Sequence, residues 1–184
     1  MEELDTQRLQ VRRFLPADGA GLHAYLSRPE AVRFEPYPVQ SRADCDRLAA
    51  ERSDDPAFWA VCLRGPGELV GNLYLGLQQP LAWRTFELGY VFHPGHWGRG
   101  YATEAAGALV AACFANGAHR VLARCDPRNE ASWRLLERLG FRRGGHLRRN
   151  ASFAVDDAGE PVWHDAYLYA TLAEEWRPPR TGQA

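Results

Sequence analysis

The chain has 184 residues and is 46% hydrophobic, enough for one sizeable core and short for two domains. Its 22 basic residues, all arginine, stand against 23 acidic ones for a formal net charge of −1, so no global attraction to nucleic acid or an anionic membrane is expected. Cys45, Cys62, Cys113 and Cys125 form no C-x-x-C pair and match no zinc spacing, no apolar run approaches the roughly 18 residues of a membrane span, and a reduced cytosol is the expected compartment.

In chain order, Leu9 to Phe14 predicts a first strand, and Pro16-Ala17-Asp18 opens a helix to about Ser27 with Leu22, Tyr25 and Leu26 inward. Two prolines in Arg33-Phe34-Glu35-Pro36-Tyr37-Pro38 forbid a regular helix there. Ser41, with Asp44 three residues on, predicts a capped helix to about Ser53. Phe58–Leu63 and Leu69–Leu77 read as a hairpin around Gly65-Pro66-Gly67, followed by a loop carrying Trp83. Phe86 to Phe92 is the central strand. Arg120 to Cys125 is a buried strand, and Asn129 to Leu139 is a helix capped by Asn129 and closed by Gly140. Phe141 to Arg149 and Trp163 to Leu172 are the last strands, joined by a polar loop around Asp156 to Pro161. Strands outnumber helices and strand–helix units come late, which predicts an α+β domain with a mixed sheet over residues 1–177. A flexible tail is expected over 178–184, from Pro178 through Gly182 and beyond.

The stretch Glu87 to Phe114 organises the rest. His93-Pro94-Gly95 ends the strand, and from Tyr101 the apolar positions take helical spacing until Asn116-Gly117. Between lies Trp97-Gly98-Arg99-Gly100-Tyr101-Ala102-Thr103. Its glycines and small alanine leave N–H groups uncovered at a helix N-terminus, where unpaired donors and the helix dipole favour an anion such as a diphosphate. A P-loop needs lysine after its last glycine, and the chain contains none. A dinucleotide fingerprint wants an early glycine triplet and a later acid, and the fit is poor. Coenzyme A is the third reading, and it needs support elsewhere in the chain.

That support lies at Asn129-Glu130-Ala131-Ser132 and Leu139-Gly140-Phe141. With Trp97-Gly98-Arg99-Gly100-Tyr101-Ala102, these residues resemble the two acyl-CoA signatures of the GNAT acyltransferases. The opening Leu4 to Arg12 and the closing Tyr167 to Trp176 are similar to the RimJ/RimL-like branch, the ribosomal-protein N-terminal acetyltransferases. The resemblance implies a splayed central sheet with acetyl-CoA in the gap, and acetyl transfer to a primary amine in a ternary complex. It also implies main-chain clamping of the coenzyme by Gly98 to Thr103, with Arg99 at the rim, and pairing of the pantetheine amides with Val91 and Phe92. Trp97 stands where the family carries Gln or Arg, and Leu136 stands where a tyrosine acid is frequent.

Transfer from a thioester to an amine needs a base for the ammonium proton and a partner for the departing thiolate. Glu87, a carboxylate on the central strand, is the base candidate through raised basicity on burial; its structural alternative is a salt bridge to Arg84 or Arg12. Ser132 is the hydroxyl expected at the thiolate, and Asn129 caps its helix and reaches the pantetheine. Phe34, Glu35, Tyr37 and Trp83 are candidates for the acceptor wall, with Glu35 attracting a cationic amine. The expected partners are an acyl-CoA and an amine on a protein N-terminus or small molecule, without nucleic acid, membrane or metal. An edge strand or the tail offers a route to a homodimer. A small-molecule acceptor, a succinyl-type donor and a catalytically weak acyl-CoA-binding module are the alternatives.

Overall fold

The computed structural model describes residues 2–178. An eight-stranded mixed sheet runs β1 (Leu4–Asp5), β2 (Leu9–Arg12), β3 (Phe58–Leu63), β4 (Leu69–Leu77), β5 (Thr85–Phe92), β6 (Arg120–Cys125), β8 (Pro161–Leu172), β7 (Arg142–Val155) in spatial order. Every neighbouring pair is antiparallel except β5 and β6. That parallel pair is joined by the crossover helix α4 (Tyr101–Ala115), since parallel strands cannot be closed by a tight turn.

The sheet separates two cores. One packs α4, through Ala105, Leu109, Val110 and Cys113, and α5 (Glu130–Arg138), through Leu135 and Leu136, against Leu73, Leu88, Phe92 and Val121. The other packs α1 (Gly19–Leu26) and α3 (Arg42–Asp54), through Leu22, Tyr25, Leu26, Cys45 and Ala49, against Ala60, Cys62 and Val91. The apolar spacing anticipated for these helices is the spacing that faces the sheet.

Several bounds differ from the sequence reading. The first strand ends at Arg12, and Pro16–Asp18 is a separate 3₁₀ turn before α1. A short helix α2 (Pro29–Val32) precedes the double-proline loop, started by proline at its first position. Strand β1 was not anticipated. β7 and β8 are longer than expected and the loop between them is shorter. Asp156 closes it by accepting the N–H groups of Ala158 and Glu160. The helix at Ser41 is as predicted, with a reciprocal Ser41–Asp44 capping box. The expected tail falls, apart from Pro178, outside the described residues.

The decisive topological feature is where β5 and β6 stop pairing. Their register runs only through Thr85–Arg120, Phe86–Val121 and Glu87–Leu122. Beyond it, β5 stays with β4 as far as Phe92, whereas β6 stays with β8 through Cys125. The sheet therefore splits on one side of Glu87.

Candidate active site

The split opens into a cavity of about 650 Å³. Glu87 to Tyr90 wall it on one side, Arg124 to Asp126 on the other, and Asn129 and Ser132 of α5 lie along it. The loop after α2 contributes Phe34, Glu35 and Tyr37, and the β7–β8 arm adds Phe153 and His164.

The turn before α4 follows the stretch of β5 that has parted from β6. Gly98 has φ 73° and Gly100, the N-cap of α4, has φ 77°, a region in which a side chain strains the backbone. Among the described residues, no protein acceptor meets the N–H groups of Gly98 to Thr103; the first paired amide is Glu104, which donates to the Gly100 carbonyl at 3.0 Å. A row of uncovered donors at the start of a 15-residue helix results. Arg8 stiffens the turn from outside, donating to the Arg99 carbonyl at 2.9 Å and pairing with Glu104 at 2.7 Å. Trp97, at the position of the Gln or Arg signature residue, is half-exposed and donates its indole N–H to the Phe92 carbonyl at 2.9 Å, tying the turn to the end of β5.

The β5 ladder corrects one expectation. His93 N–H donates to the Val70 carbonyl at 2.9 Å. Main-chain groups alternate sides along a strand, so those of Val91 also face β4, whereas those of Leu88, Tyr90 and Phe92 face the split. Of the two residues expected to pair with the pantetheine, Phe92 turns its main chain to the split, with its carbonyl already accepting the Trp97 indole N–H, and Val91 turns its main chain to β4.

Glu87 stands at the last paired position. Arg124, two residues past its neighbour Leu122, reaches back across the split and places Nη1 at 2.7 and 2.8 Å from the two carboxylate oxygens. The sequence named Arg84 or Arg12 as an ionic partner; the partner is Arg124. Arg12 pairs with Asp18 instead.

Ser132 is buried, its N–H capped by Asn129 Oδ1 at 3.2 Å. Its Oγ lies 2.8 Å from the Tyr90 hydroxyl, which also donates to the Ser132 carbonyl at 3.1 Å. Burial holds the Tyr90 phenol well above its ordinary pKa, so it is a neutral hydroxyl at physiological pH. Cys125 lies beside Ser132; burial pushes its thiol up to about 11, with the Ser132 hydroxyl partly offsetting the rise. Leu136 is buried in the core, and the phenol bonded to Ser132 is that of Tyr90, on a different element. Alternation along β5 put Tyr90 on the core face with Leu88 and Phe92, and its pairing to α5 has no local sequence signal.

Glu35 is half-buried in the same cavity, with its pKa raised to about 7 by burial, against the lowering effect of the Tyr37 hydroxyl and Arg52. Arg128 lies over the Phe34 ring at 5.9 Å and holds Asp126 at 2.6 Å. His164 stacks on Phe153 at 5.8 Å, and its Nδ1 lies 3.2 Å from Arg128. Asp165 turns the other way, to His146 at 2.7 Å, as strand alternation of the His164-Asp165 pair required. Trp83 is not brought here. It is 66% exposed beside Arg84 and His119, at the end of β5 where the strands are still paired.

All four cysteines are free and buried. Among the described residues, no group of three or more His, Cys, Asp or Glu side chains could hold a metal ion, and no helix is long and apolar enough to cross a membrane.

A family model described as an acetyltransferase (GNAT) domain matches residues 8–142. The chain belongs to the GNAT acetyltransferases. It is 31% identical over 175 residues to a Bacillus subtilis (strain 168) protein described as the uncharacterized N-acetyltransferase YnaD, covering 94% of this chain and 98% of that one. A solved acetyltransferase of the GNAT family from Bacillus anthracis superimposes with a TM-score of 0.82 at 30% identity, covering 94% of this chain and 99% of the other. The ribosomal-protein-S5-alanine acetyltransferase of Vibrio fischeri superimposes with a TM-score of 0.76 at 19% identity, over 97% and 100% of the two chains, a likeness of fold alone. The chain is therefore an acetyltransferase of this family, and the family's members draw their acyl group from acetyl-CoA.

Proposed function

We propose that this GNAT enzyme transfers the acetyl group of acetyl-CoA to a protein N-terminal α-amine by direct attack in a ternary complex. The observation that carries this reading is the parting of β5 from β6 along the strand that leads into the turn with the uncovered amides of Gly98 to Thr103. In it, the diphosphate lies on Gly98 to Thr103 with Arg99 and Trp97 at the rim. The pantetheine follows the open edge of β5 as an added strand, meeting main-chain groups of Phe92 and Tyr90 and the Asn129 side chain. The thioester then lies beside Ser132.

The amine's lone pair attacks the acetyl carbon, the C–S bond breaks, and the thiolate departs. Ser132 donates a hydrogen bond to that sulfur, with the Tyr90 hydroxyl 2.8 Å behind it. The proton of the incoming ammonium goes to one of two carboxylates lining the opening, Glu87 or Glu35. The acceptor lies between Phe34, Tyr37 and the β7–β8 arm. The likeness of both chain ends to the RimJ/RimL-like branch supports a protein α-amine as acceptor, and a small-molecule amine is the alternative.

Two measurements test this. Calorimetry with coenzyme A is expected to show binding, weakened at least tenfold by Gly98→Val, because a β-branched side chain is strained at φ 73° and covers the amides. Absence of binding to the wild-type protein overturns the reading, and equal affinity in the variant removes the turn from the site. A screen of peptide α-amines, polyamines and amino acids, read by thiol release from acetyl-CoA beside succinyl-CoA, then names the acceptor and acyl class. Protein α-amines are expected to turn over fastest.

A further inference from the structure

The cavity holds a polar cluster that no step of the transfer uses. Asp126, directly after β6, accepts Arg128 Nε at 2.9 Å on one carboxylate oxygen and Arg128 Nη2 at 2.6 Å on the other. It also accepts the Arg128 main-chain N–H at 2.8 Å. Arg128 Nη2 reaches on to His164 Nδ1 at 3.2 Å, and the guanidinium lies over the Phe34 ring at 5.9 Å. His164 in turn stacks on Phe153 at 5.8 Å. One arginine thus joins three segments: the loop after α2, the β6–α5 connection and the β7–β8 arm. Its side chain is 64% exposed, and a pair so open to water contributes little to stability. What a two-point carboxylate contact fixes is direction.

The same contact sets the imidazole. A guanidinium has N–H donors and no acceptor. His164 Nδ1, at 3.2 Å from Arg128 Nη2, is therefore the acceptor, and the single ring proton sits on Nε2. Asp126 does not hold a proton on Nδ1 instead, because its nearer oxygen is 3.9 Å away, beyond hydrogen-bond distance. In this tautomer His164 offers the cavity a donor and not a base. Arg128 Nη1 and His164 Nε2 have no protein partner among the described residues. Arg128 immediately precedes the Asn129 cap of α5, and both donors belong to residues that line the cavity with Asn129 and Ser132.

We propose that Arg128 Nη1 and His164 Nε2–H bind main-chain carbonyl oxygens of the acceptor peptide, with Asp126 as the positioning residue that aims the guanidinium. This rests on the reading of the cavity as the site of transfer to a protein α-amine. A peptide N-terminus carries a carbonyl oxygen in its first residue and another in its second, and each needs a donor once it leaves water. An alkyl polyamine carries none. Donors placed beside the reacting amine therefore select a peptide over a polyamine, because an acceptor without carbonyls leaves them unpaired. The likeness of the chain ends pointed to the acceptor class; these two side chains give that class a means of recognition.

The test has two arms on the full chain. In the first, ring-¹⁵N histidine is read by long-range ¹H–¹⁵N NMR at about pH 7.5, with the His164 signals assigned from their loss in His164→Phe. The Nε2–H tautomer is expected, and an Nδ1–H tautomer or a doubly protonated ring overturns the proposal. In the second, acetyl transfer is measured with an amide-capped tripeptide and with propylamine, which keeps the amine and lacks the carbonyls. Arg128→Met and His164→Phe are each expected to raise KM for the tripeptide about tenfold, more than they lower kcat, and to cut its preference over propylamine by a similar factor. Arg128→Lys keeps a cation for Asp126 and loses the second arm of the fork, so the same rise is expected there even if Arg128→Met does not fold. His164→Gln, which returns an N–H donor at a similar reach, is expected to recover most of the loss. A tripeptide KM unmoved in the variants, or equal losses with both amines, overturns the proposal and leaves the acceptor reading standing. A wild type that acetylates propylamine and not the tripeptide overturns both.

Discussion

At the scale of residues, the site is a set of polar side chains whose partners come from other elements. Ser132 illustrates this. As an isolated helix serine it would be a poor participant near neutral pH. With the Tyr90 hydroxyl at 2.8 Å, the two hydroxyls form one hydrogen-bonded unit. Removing either group should therefore cost the same step. Tyr90→Phe and Ser132→Ala are each expected to lower kcat roughly tenfold with little change in KM for acetyl-CoA. The double variant should fall short of the product of the two, by about 1 kcal/mol of coupling in a double-mutant cycle. Additive losses would mean that the two hydroxyls act apart. Glu87 was legible as an unusual carboxylate on a central strand, but Arg124 was not legible as its partner, because the contact crosses between parallel strands 37 residues apart.

At the scale of elements, local chemistry went far. The Ser41 capping box, the glycine N-cap of α4 and the Asn129 cap of α5 are short-range devices, and each sits where its spacing placed it. Asn129 carries a separable prediction. Asn129→Ala should lower stability by about 1 kcal/mol in urea unfolding. Asn129→Asp should keep that stability, since a carboxylate oxygen also accepts the Ser132 N–H. If coenzyme affinity falls in both variants, the amide also serves the pantetheine; if it is unchanged in both, capping is its whole task. The strands were less legible at their ends. β7 and β8 extend past β6 as a two-stranded arm, and nothing local distinguishes a strand that continues in a hairpin from a polar loop until Asp156 is seen to close the turn.

At the scale of the molecule, the sheet is closed on one side of Glu87 and open on the other, and Glu35 is half-buried in the cavity there. The sign of its effect on stability follows. Its folded pKa, about 7, lies above its unfolded value, near 4.5. The folded state thus retains a proton that the unfolded chain releases. Its contribution to stability is complete below about pH 4.5 and is lost as pH rises through about 7. Glu35→Gln should accordingly be more stable than the wild type at pH 8, by on the order of 2 kcal/mol, with the gap closing below about pH 5. Thermal unfolding across that range checks it, and a gap independent of pH would place the carboxyl in water. The β1–β2 turn is fastened to α4 by Glu104, which accepts from Thr6, the Arg8 main chain and the Arg8 guanidinium.

By itself the sequence determined the class of fold, the two core-facing helix stripes, the turn that begins α4 and the family, because each depends on residues near one another in the chain or on their order. Only the tertiary structure decided which main-chain groups face the split, that Trp83 lies away from it, and that Tyr90 and Arg124 line the cavity. Those facts are set by where two parallel strands part and by what is then left unburied, and no local pattern encodes a gap between strands.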